Sequence, residues 1–480
     1  MSTVAGGEFS AKAIIKELLS YKSGLLGVGI LLVLTALSIY IVVAIPYNKA
    51  IEMWRGSEKY WIDVPRYAQP VWIKYFVGKN LPETIIIDSR KGPGVGIYKA
   101  ITPIHGTDFK QVEIVLSFEY NYDDFPSEVN LFFYAKNYTS PPLVKIYWEK
   151  PDGQKILLKT YAIKKPDAIL FITIDEEITR TLENFMYSVT KKETEEYIPP
   201  QAILFAVDDE SMASMKTIKV LKSGSKYYRL IIKGIMQGKD ADIDAKLVVY
   251  GKVYGWAGTD HLRRDIGLAL LWGIPVAISF GLSASLITSI LHLIIATISG
   301  YYGGIVDSII QRMTEIYMII PFLPFLIIIS AFYKIDIVIL LVVVIVLSIF
   351  SGGIKSTRAL VMQIKSYPYI EAAKAYGASD LRIILMYIIP KILPPLIPGL
   401  IGAVPGFVFL EAGLSFLGLG DPYLPTWGKV INDAYSNGAM YKGYWWWLTL
   451  PSLMLIITSI AFALIGFALD KIVNPKLREL

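Results

Sequence analysis

Few residues of this 480-residue chain can do chemistry, and their distribution excludes several classes of protein at once. There is no cysteine, so disulfides, thiolate metal sites and cysteine nucleophiles are ruled out, and the three histidines, His105, His261 and His292, lie far apart. No Gly-x-x-x-x-Gly-Lys-Ser/Thr loop occurs, which removes that route to cradling nucleotide phosphates. Asp240, Asp242 and Asp244 have the spacing of a calcium loop but lack its glycine and its later glutamate. With Asp208, Asp209 and Glu210 they read as solvated acidic faces, so no catalytic residue and no metal site is expected. The informative polar groups sit instead in apolar surroundings. Glu411, followed by Ser415 and Phe416, lies late in a long apolar run, and an ionisable group there is a candidate for gating or for the lining of a pathway. Glu411 is expected near the mouth of that run, within reach of water or a partner, and in a structural or gating hydrogen bond rather than in substrate binding. Glu315 lies one turn from Arg312, which predicts an ion pair. His292, inside the apolar run from Ile266 to Val306, is expected to be hydrogen-bonded packing.

A second kind of chemistry, docking, is offered by the stretch Ser366-Tyr-Pro-Tyr-Ile-Glu-Ala-Ala-Lys-Ala-Tyr-Gly-Ala-Ser-Asp-Leu-Arg-Ile-Ile-Leu-Met-Tyr-Ile-Ile-Pro390. Glu371 to Tyr376 are good helix formers, and the small side chains of Ala372, Ala373 and Ala375 let another surface approach closely. Gly377 is a natural helix stop, and Ser379 can cap a second helix that begins Asp380-Leu-Arg. The pattern predicts helix, glycine elbow and helix, with re-entry into an apolar segment at Pro390.

The elements that position these groups are apolar. The chain is 54% hydrophobic and 18% charged, with a mean hydropathy of +0.48 and a net charge of +6. Charged residues are absent from Ser23 to Asn48, Ile266 to Val306, Ile316 to Tyr333, Ile337 to Ile354, Ile392 to Leu410 and Gly443 to Leu469. About 20 apolar residues cross a bilayer as a helix, so these read as six spans. The first is longer than a signal-peptide core and is expected to be retained. The loop after the fourth span carries Lys355, Arg358, Lys365, Lys374, Arg382 and Lys391. Lys12, Lys16 and Lys22 precede the first span, and Lys471, Lys476 and Arg478 follow the last. The excess of basic residues names that side cytoplasmic, whereas the turn with Lys334 and Asp336 faces outward. This accounts for the positive charge without a nucleic-acid partner.

Between the first two spans the character changes. Val112-Glu-Ile-Val-Leu-Ser-Phe-Glu-Tyr120, Leu143-Val-Lys-Ile-Tyr-Trp148 and similar runs alternate β-branched and aromatic residues with polar ones, separated by turns such as Pro151-Asp-Gly153. The expected fold class is a polytopic α-helical membrane protein of six helices, with a large extracytoplasmic, mostly antiparallel β domain between helices 1 and 2. A helical stretch near Glu176 to Lys192 interrupts that domain. The expected division is a cytoplasmic N-terminus at 1–22, the first span at 23–48, the β domain at 49–257, the membrane core at 258–470 with a cytoplasmic loop at 356–389, and a tail at 471–480. Asn137-Tyr-Thr139 has the pattern of a glycosylation sequon.

Glu-Ala-Ala, three residues, glycine and a later proline resemble the loop of binding-protein-dependent ABC importer permeases. Other segments fall in family order. Gly258-Thr-Asp-His-Leu-Arg-Arg-Asp265 is similar to the Gly-Thr-Asp-x-x-Gly-Arg-Asp of the dipeptide/oligopeptide/nickel class, with Arg263 in place of a glycine. Ala296-Thr-Ile-Ser-Gly-Tyr-Tyr-Gly-Gly304, Glu411-Ala-Gly-Leu-Ser-Phe-Leu-Gly-Leu-Gly420 and Pro422-x-x-Pro-x-Trp-Gly428 follow. The resemblance covers about Tyr254 to the C-terminus and fits the second permease subunit of that class, with the type I importer permease fold. It implies that Glu371, Ala372, Ala373, Gly377, Ala378 and Asp380 couple the chain to an ATPase. It further implies a homologous second permease, two ABC ATPase subunits that bind ATP and magnesium, and an extracytoplasmic substrate-binding protein, with no cofactor on this chain. Tyr387-Ile-Ile-Pro390 departs from the family's Ile-x-Leu-Pro. The alternatives are a secondary transporter or channel, which would show inverted repeats, and a receptor. Peptides and oligosaccharides both remain open as cargo.

Overall fold

The computed structural model describes residues 11–92, 94, 96–192, 196–332 and 336–473; Lys334, Lys476, Arg478 and the first ten residues lie outside the described residues. The chain divides into two units, Met1–Arg55 with Ile266–Leu480, and Gly56–Asp265.

In the second unit the alternating runs form strands because one face of each can be buried. Among the described residues there are β1 (Ile85–Asp88), β2 (Ile97–Pro103), β3 (Phe109–Phe118), β4 (Glu128–Lys136), β5 (Ser140–Glu149), β6 (Lys155–Ala162), β7 (Asp167–Phe171), β8 (Tyr228–Gln237) and β9 (Asp242–Tyr250). They make two antiparallel sheets, ordered β1-β9-β4-β7 and β2-β3-β8-β5-β6. Val112, Ile114 and Leu116 of one sheet share a core with Val129, Leu131 and Phe133 of the other. Alternation with period two sends these residues into that core, while Asn130 and Phe132 are buried on the opposite face of β4, where Phe132 packs with Val248 and Tyr250. The expected helix is present as Glu176–Thr190, capped by Asp175, whose carboxylate accepts from the N–H groups of Glu177 and Ile178. Lys99 bridges Asp242 and Asp244 at 2.8 and 2.7 Å, so those carboxylates serve an ion-pair cluster.

The Gly258-Thr-Asp segment is a clamp within this unit. The Thr259 hydroxyl donates to the Pro65 carbonyl at 2.7 Å and accepts from the Ala68 N–H at 2.8 Å. Asp260, fully buried, accepts from the Leu262 and Arg264 N–H groups and from the Arg264 guanidinium. Burial pushes its carboxyl pKa up, against the pull of Arg264. Arg263 has φ +66°, a left-handed backbone that glycine adopts without strain. The arginine is held there by Glu128, by the Val64 carbonyl at 2.7 Å and by the Tyr250 ring.

The first unit is helical. Among the described residues, four helices are long and apolar enough to cross a membrane: α1 (Lys22–Ala44), α2 (Ile266–Tyr302), α8 (Asp380–Phe416) and α10 (Trp445–Val473). Between α2 and α8 lie α3 (Gly304–Ile319), α4 (Phe322–Phe332), α5 (Ile337–Ser348), α6 (Gly352–Lys365) and α7 (Pro368–Ala375), and α9 (Trp427–Ser436) precedes α10. Leu32, Val33, Ile39 and Val43 of α1 are more than half exposed, as lipid-facing side chains are.

The third and fourth apolar runs are bent: α3 and α4 meet at 77°, and α5 and α6 at 52°. Pro321 explains the first break, because it cannot donate to the helix ladder and biases Ile320 to extended backbone (ψ 124°). Pro390 lies inside a continuous helix. The helix begun at Asp380 runs on through it to Phe416, with a π-helical turn at Ile384–Ile388. That wider turn absorbs the mismatch a proline imposes on the preceding carbonyls.

Candidate functional site

The docking segment is assembled from four elements. Pro368, at the first helical turn of α7, presets its entry. Ile370 and Ala373 are buried in a cluster with Leu293, Val361, Ile383 and Ile388, which fixes the rotation of the helix. The N–H of Ala378 donates to the Ala373 carbonyl at 3.0 Å and that of Gly377 to the Lys374 carbonyl at 2.9 Å. With Gly377 at φ +80°, this is a Schellman stop. The Ser379 hydroxyl caps α8 by accepting from the Arg382 N–H at 3.4 Å.

Tyr301, at the end of α2, ties the elbow down. Its hydroxyl donates to Asp380 at 2.6 Å, its carbonyl accepts from the Lys365 ammonium at 2.5 Å, and Lys365 and Lys374 each lie 5.5 Å from its ring. Nearby, the Arg358 guanidinium pairs with Asp307, which also accepts from the Ser299 hydroxyl, joining α2, α3 and α6. Glu371, Ala372, Ala375 and Tyr376 then form an exposed stripe, with Tyr376 93% exposed. Of the predicted residues, Glu371, Ala372 and Gly377 face outward and Ala373 faces the core. Asp380 is spoken for by Tyr301.

The second candidate group folds inward. Glu411 is 2% exposed, and its carboxylate accepts from the Ser415 hydroxyl at 2.7 Å within α8. Glu411 thus has a structural hydrogen bond from a residue one turn on in its own helix. Phe416 meets Tyr435 edge-on at 5.6 Å, and its carbonyl accepts from the Asn432 amide. Trp427 donates its indole N–H to the Leu270 carbonyl at 2.9 Å, and Gly428 and Gly420 lie where a Cβ would strike Ala412 and Ser415. Glu315 has Arg312 at 3.4 Å and Lys355 at 3.7 Å.

Sequence reasoning missed a cavity of about 770 Å³ in this unit, bounded by α2, the two helix breaks and α8. Ser285, Thr288, Ser289 and His292 line it from α2. His292 Nε2 lies 3.0 Å from the Ser348 carbonyl and 3.1 Å from the Ser351 hydroxyl, so the histidine is hydrogen-bonded as expected and lines the cavity as well. The signal was available, since these four residues recur every three or four positions, one face of an apolar helix.

Residues 292–479 match the family described as binding-protein-dependent transport system inner membrane component. The chain is similar to the dipeptide transport system permease protein DppC of Bacillus subtilis (strain 168), 33% identical over 47% of this chain and 69% of that protein. It is also similar to the oligopeptide transport system permease protein OppC of the same organism, 31% identical over 47% of this chain and 72% of that one. The glutathione transport system permease protein GsiD of Pectobacterium atrosepticum is 29% identical over 47% and 73%. A chain of the MetNI methionine ABC transporter, in inward-facing conformations, superposes loosely over 42% of this chain and 95% of that one, at 20% identity and a TM-score of 0.30. This chain belongs to the binding-protein-dependent transport system inner membrane components, in the dipeptide/oligopeptide class of ABC importer permeases.

Proposed function

We propose that the chain is one of two permease subunits of an ATP-driven importer. It crosses the membrane six times, each bent helix pair counting as one span, with both termini cytoplasmic and the β domain, residues 49–257, extracellular. A homologous permease completes the pathway, an external binding protein delivers peptides or oligosaccharides, and two ATPase subunits hold ATP and magnesium. The names of the relatives, which carry dipeptides, oligopeptides and glutathione, favour peptides.

The observation that carries the reading is the exposed stripe on α7. A rigidly capped helix, anchored through Ile370, Ala373 and Tyr301 to the ends of three other helices, presents small side chains outward. A groove on an ATPase that grips Glu371, Ala372 and Gly377 would move α7 as a lever. Asp380 and the turn at Ala378 would pass that motion directly into α8, because no break separates them. ATP-driven closure of the ATPases then switches the spans between inward- and outward-facing states. Glu411, Ser415 and Phe416 brace the far end of the same helix and set its gating.

The test is Ala372→Trp, which adds bulk on the exposed stripe and touches no core residue. The expected result is loss of ATPase copurification and of ATP-driven uptake by the assembled complex, with the thermal unfolding of the chain unchanged. Retention of both would refute the coupling role.

A further inference from the structure

In the β unit a lysine is buried at the end of a strand. Lys150 follows β5, and its side chain is wholly covered. Its Nζ donates to the Ala206 carbonyl at 3.0 Å, meets the Asp208 carboxylate, and lies 5.2 Å from the centre of the Phe185 ring. Two residues back, Trp148 donates its indole N–H to the Leu204 carbonyl at 3.1 Å. These two side chains fix the end of β5 against residues 204–208, so Lys150 and Asp208 are held in contact rather than meeting by chance. Asp152, in the exposed turn just after Lys150, lies within hydrogen-bond reach of Asp208. Two carboxylates that close share a proton instead of both ionising. Burial pushes the Lys150 pKa down, against the pull of Asp208. Burial also pushes the Asp208 pKa up, against Lys150 and with help from Asp152. Both directions favour the uncharged forms, an amine and a carboxylic acid.

We propose that Lys150 and Asp208 join in an intramolecular isopeptide bond, with Asp152 as the proton carrier. The Nζ lone pair attacks Asp208 Cγ and a C–N bond forms. The carboxyl C–OH bond breaks, and the hydroxyl leaves as water with a proton that Asp152 passes to it from Nζ. One amine and one carboxylic acid give one amide and one water, and nothing is oxidised or reduced. The remaining N–H keeps the Ala206 carbonyl as its acceptor, so the product leaves no buried donor unpaired. The folded contact supplies the proximity that free amines and acids in water lack. Exposure of Asp152 gives the released water a way out. The bond closes a loop that holds β6, β7 and the helix Glu176–Thr190, a staple that a chain without cysteine cannot make from a disulfide. It goes beyond the transport reading and does not rest on it.

The test is the mass of the purified full chain, measured intact and after protease digestion under denaturing conditions. The chain is expected to be one water lighter than its sequence, and the digest to contain a branched peptide joining Lys150 to Asp208. Lys150→Arg should restore the full mass. Asp208→Asn should arrive at the same mass as the parent, because it reaches the same amide by losing ammonia in place of water. Asp152→Ala keeps both reacting groups and should slow bond formation about a hundredfold, seen as unjoined chain soon after synthesis. A parent chain of full mass with no branched peptide would overturn the bond and leave Lys150 and Asp208 as an ion pair. A deficit that persists in Lys150→Arg would overturn it as well. Equally fast joining in Asp152→Ala would overturn the role given to Asp152.

Discussion

Residues 368–383 and residues 411–428 both carry the family's sequence pattern, and they use it in opposite ways. In the first, Glu371, Ala372 and Gly377 face outward on a helix whose hidden side, Ile370 and Ala373, does the packing. In the second, Glu411, Ser415, Trp427 and Gly428 are buried against one another and against α2. The Gly258-Thr-Asp segment in the other unit behaves like the second region, since Thr259 and Asp260 are fully buried and fully engaged. A family pattern that is buried builds the fold. One exposed on a rigid support is open to a surface outside the chain, as the proposed coupling requires.

The contrast predicts where substitutions harm folding and where they harm function. The largest effect is expected from Gly428→Val. A Cβ at this position would lie 2.2 Å from the Ala412 carbonyl oxygen, with backbone on one side and Ser415 on the other. Overpacking of this kind costs about 3 kcal/mol or more. The variant should lose its single peak in size-exclusion chromatography and unfold at a much lower temperature. A Gly428→Val chain as heat-stable as the parent would show that the second region is not a folding unit.

Gly377→Val should do less, and for a different reason. Nothing lies within 4 Å of a Cβ there, so the cost is backbone strain at φ +80°, about 1–2 kcal/mol. Asn tolerates that backbone, so Gly377→Asn should retain most of the stability and the ATP-driven uptake that Gly377→Val loses. If the two variants behave alike, strain is not the cause. Tyr301→Phe ranks next. It removes the 2.6 Å bond to Asp380 while leaving the ring in place, at a cost of about 1 kcal/mol. The loss should be local, seen as faster amide exchange over residues 368–383 with little change in the unfolding temperature of the whole chain.

Physical causes separate what could be read in the residues from what could not. Local rules act at Gly377, Ser379 and Asp175, where one residue's preferred conformation or side-chain oxygen ends or starts a helix, and the structure has those caps. Period-two alternation likewise marked β3 and β5 before any partner strand was known. The bends between α3 and α4 and between α5 and α6 depend on what packs around an apolar run, and the run reads the same straight or broken. The continuity of α8 through Pro390 depends on a π-turn that no residue type announces. Burial of Glu411 depends on the fold, because what covers a residue of an apolar run is set by distant segments, although Ser415, four residues on, is brought to it by helix spacing alone. The polar face of α2 was visible as spacing, but the cavity it lines required knowing that Tyr317 and Phe350 close the other side.

The smallest structural effect should accompany the largest gap between stability and function. Glu371 lies in the first turn of α7, is exposed, and gains at most a few tenths of a kcal/mol from the helix dipole at such a site. Glu371→Ala should therefore leave the unfolding temperature within error of the parent. On the proposed coupling, the same change removes a charge from the gripped surface, so substrate-stimulated ATPase activity of the assembled complex should fall by about tenfold or more, the equivalent of one charge-assisted hydrogen bond. Glu411→Ala makes the opposite combination: it leaves the Ser415 hydroxyl without its buried acceptor and should lower stability before any transport step is reached. If Glu371→Ala destabilised the chain and Glu411→Ala did not, the division between an exposed surface for a partner and a buried one for the fold would be drawn the wrong way round.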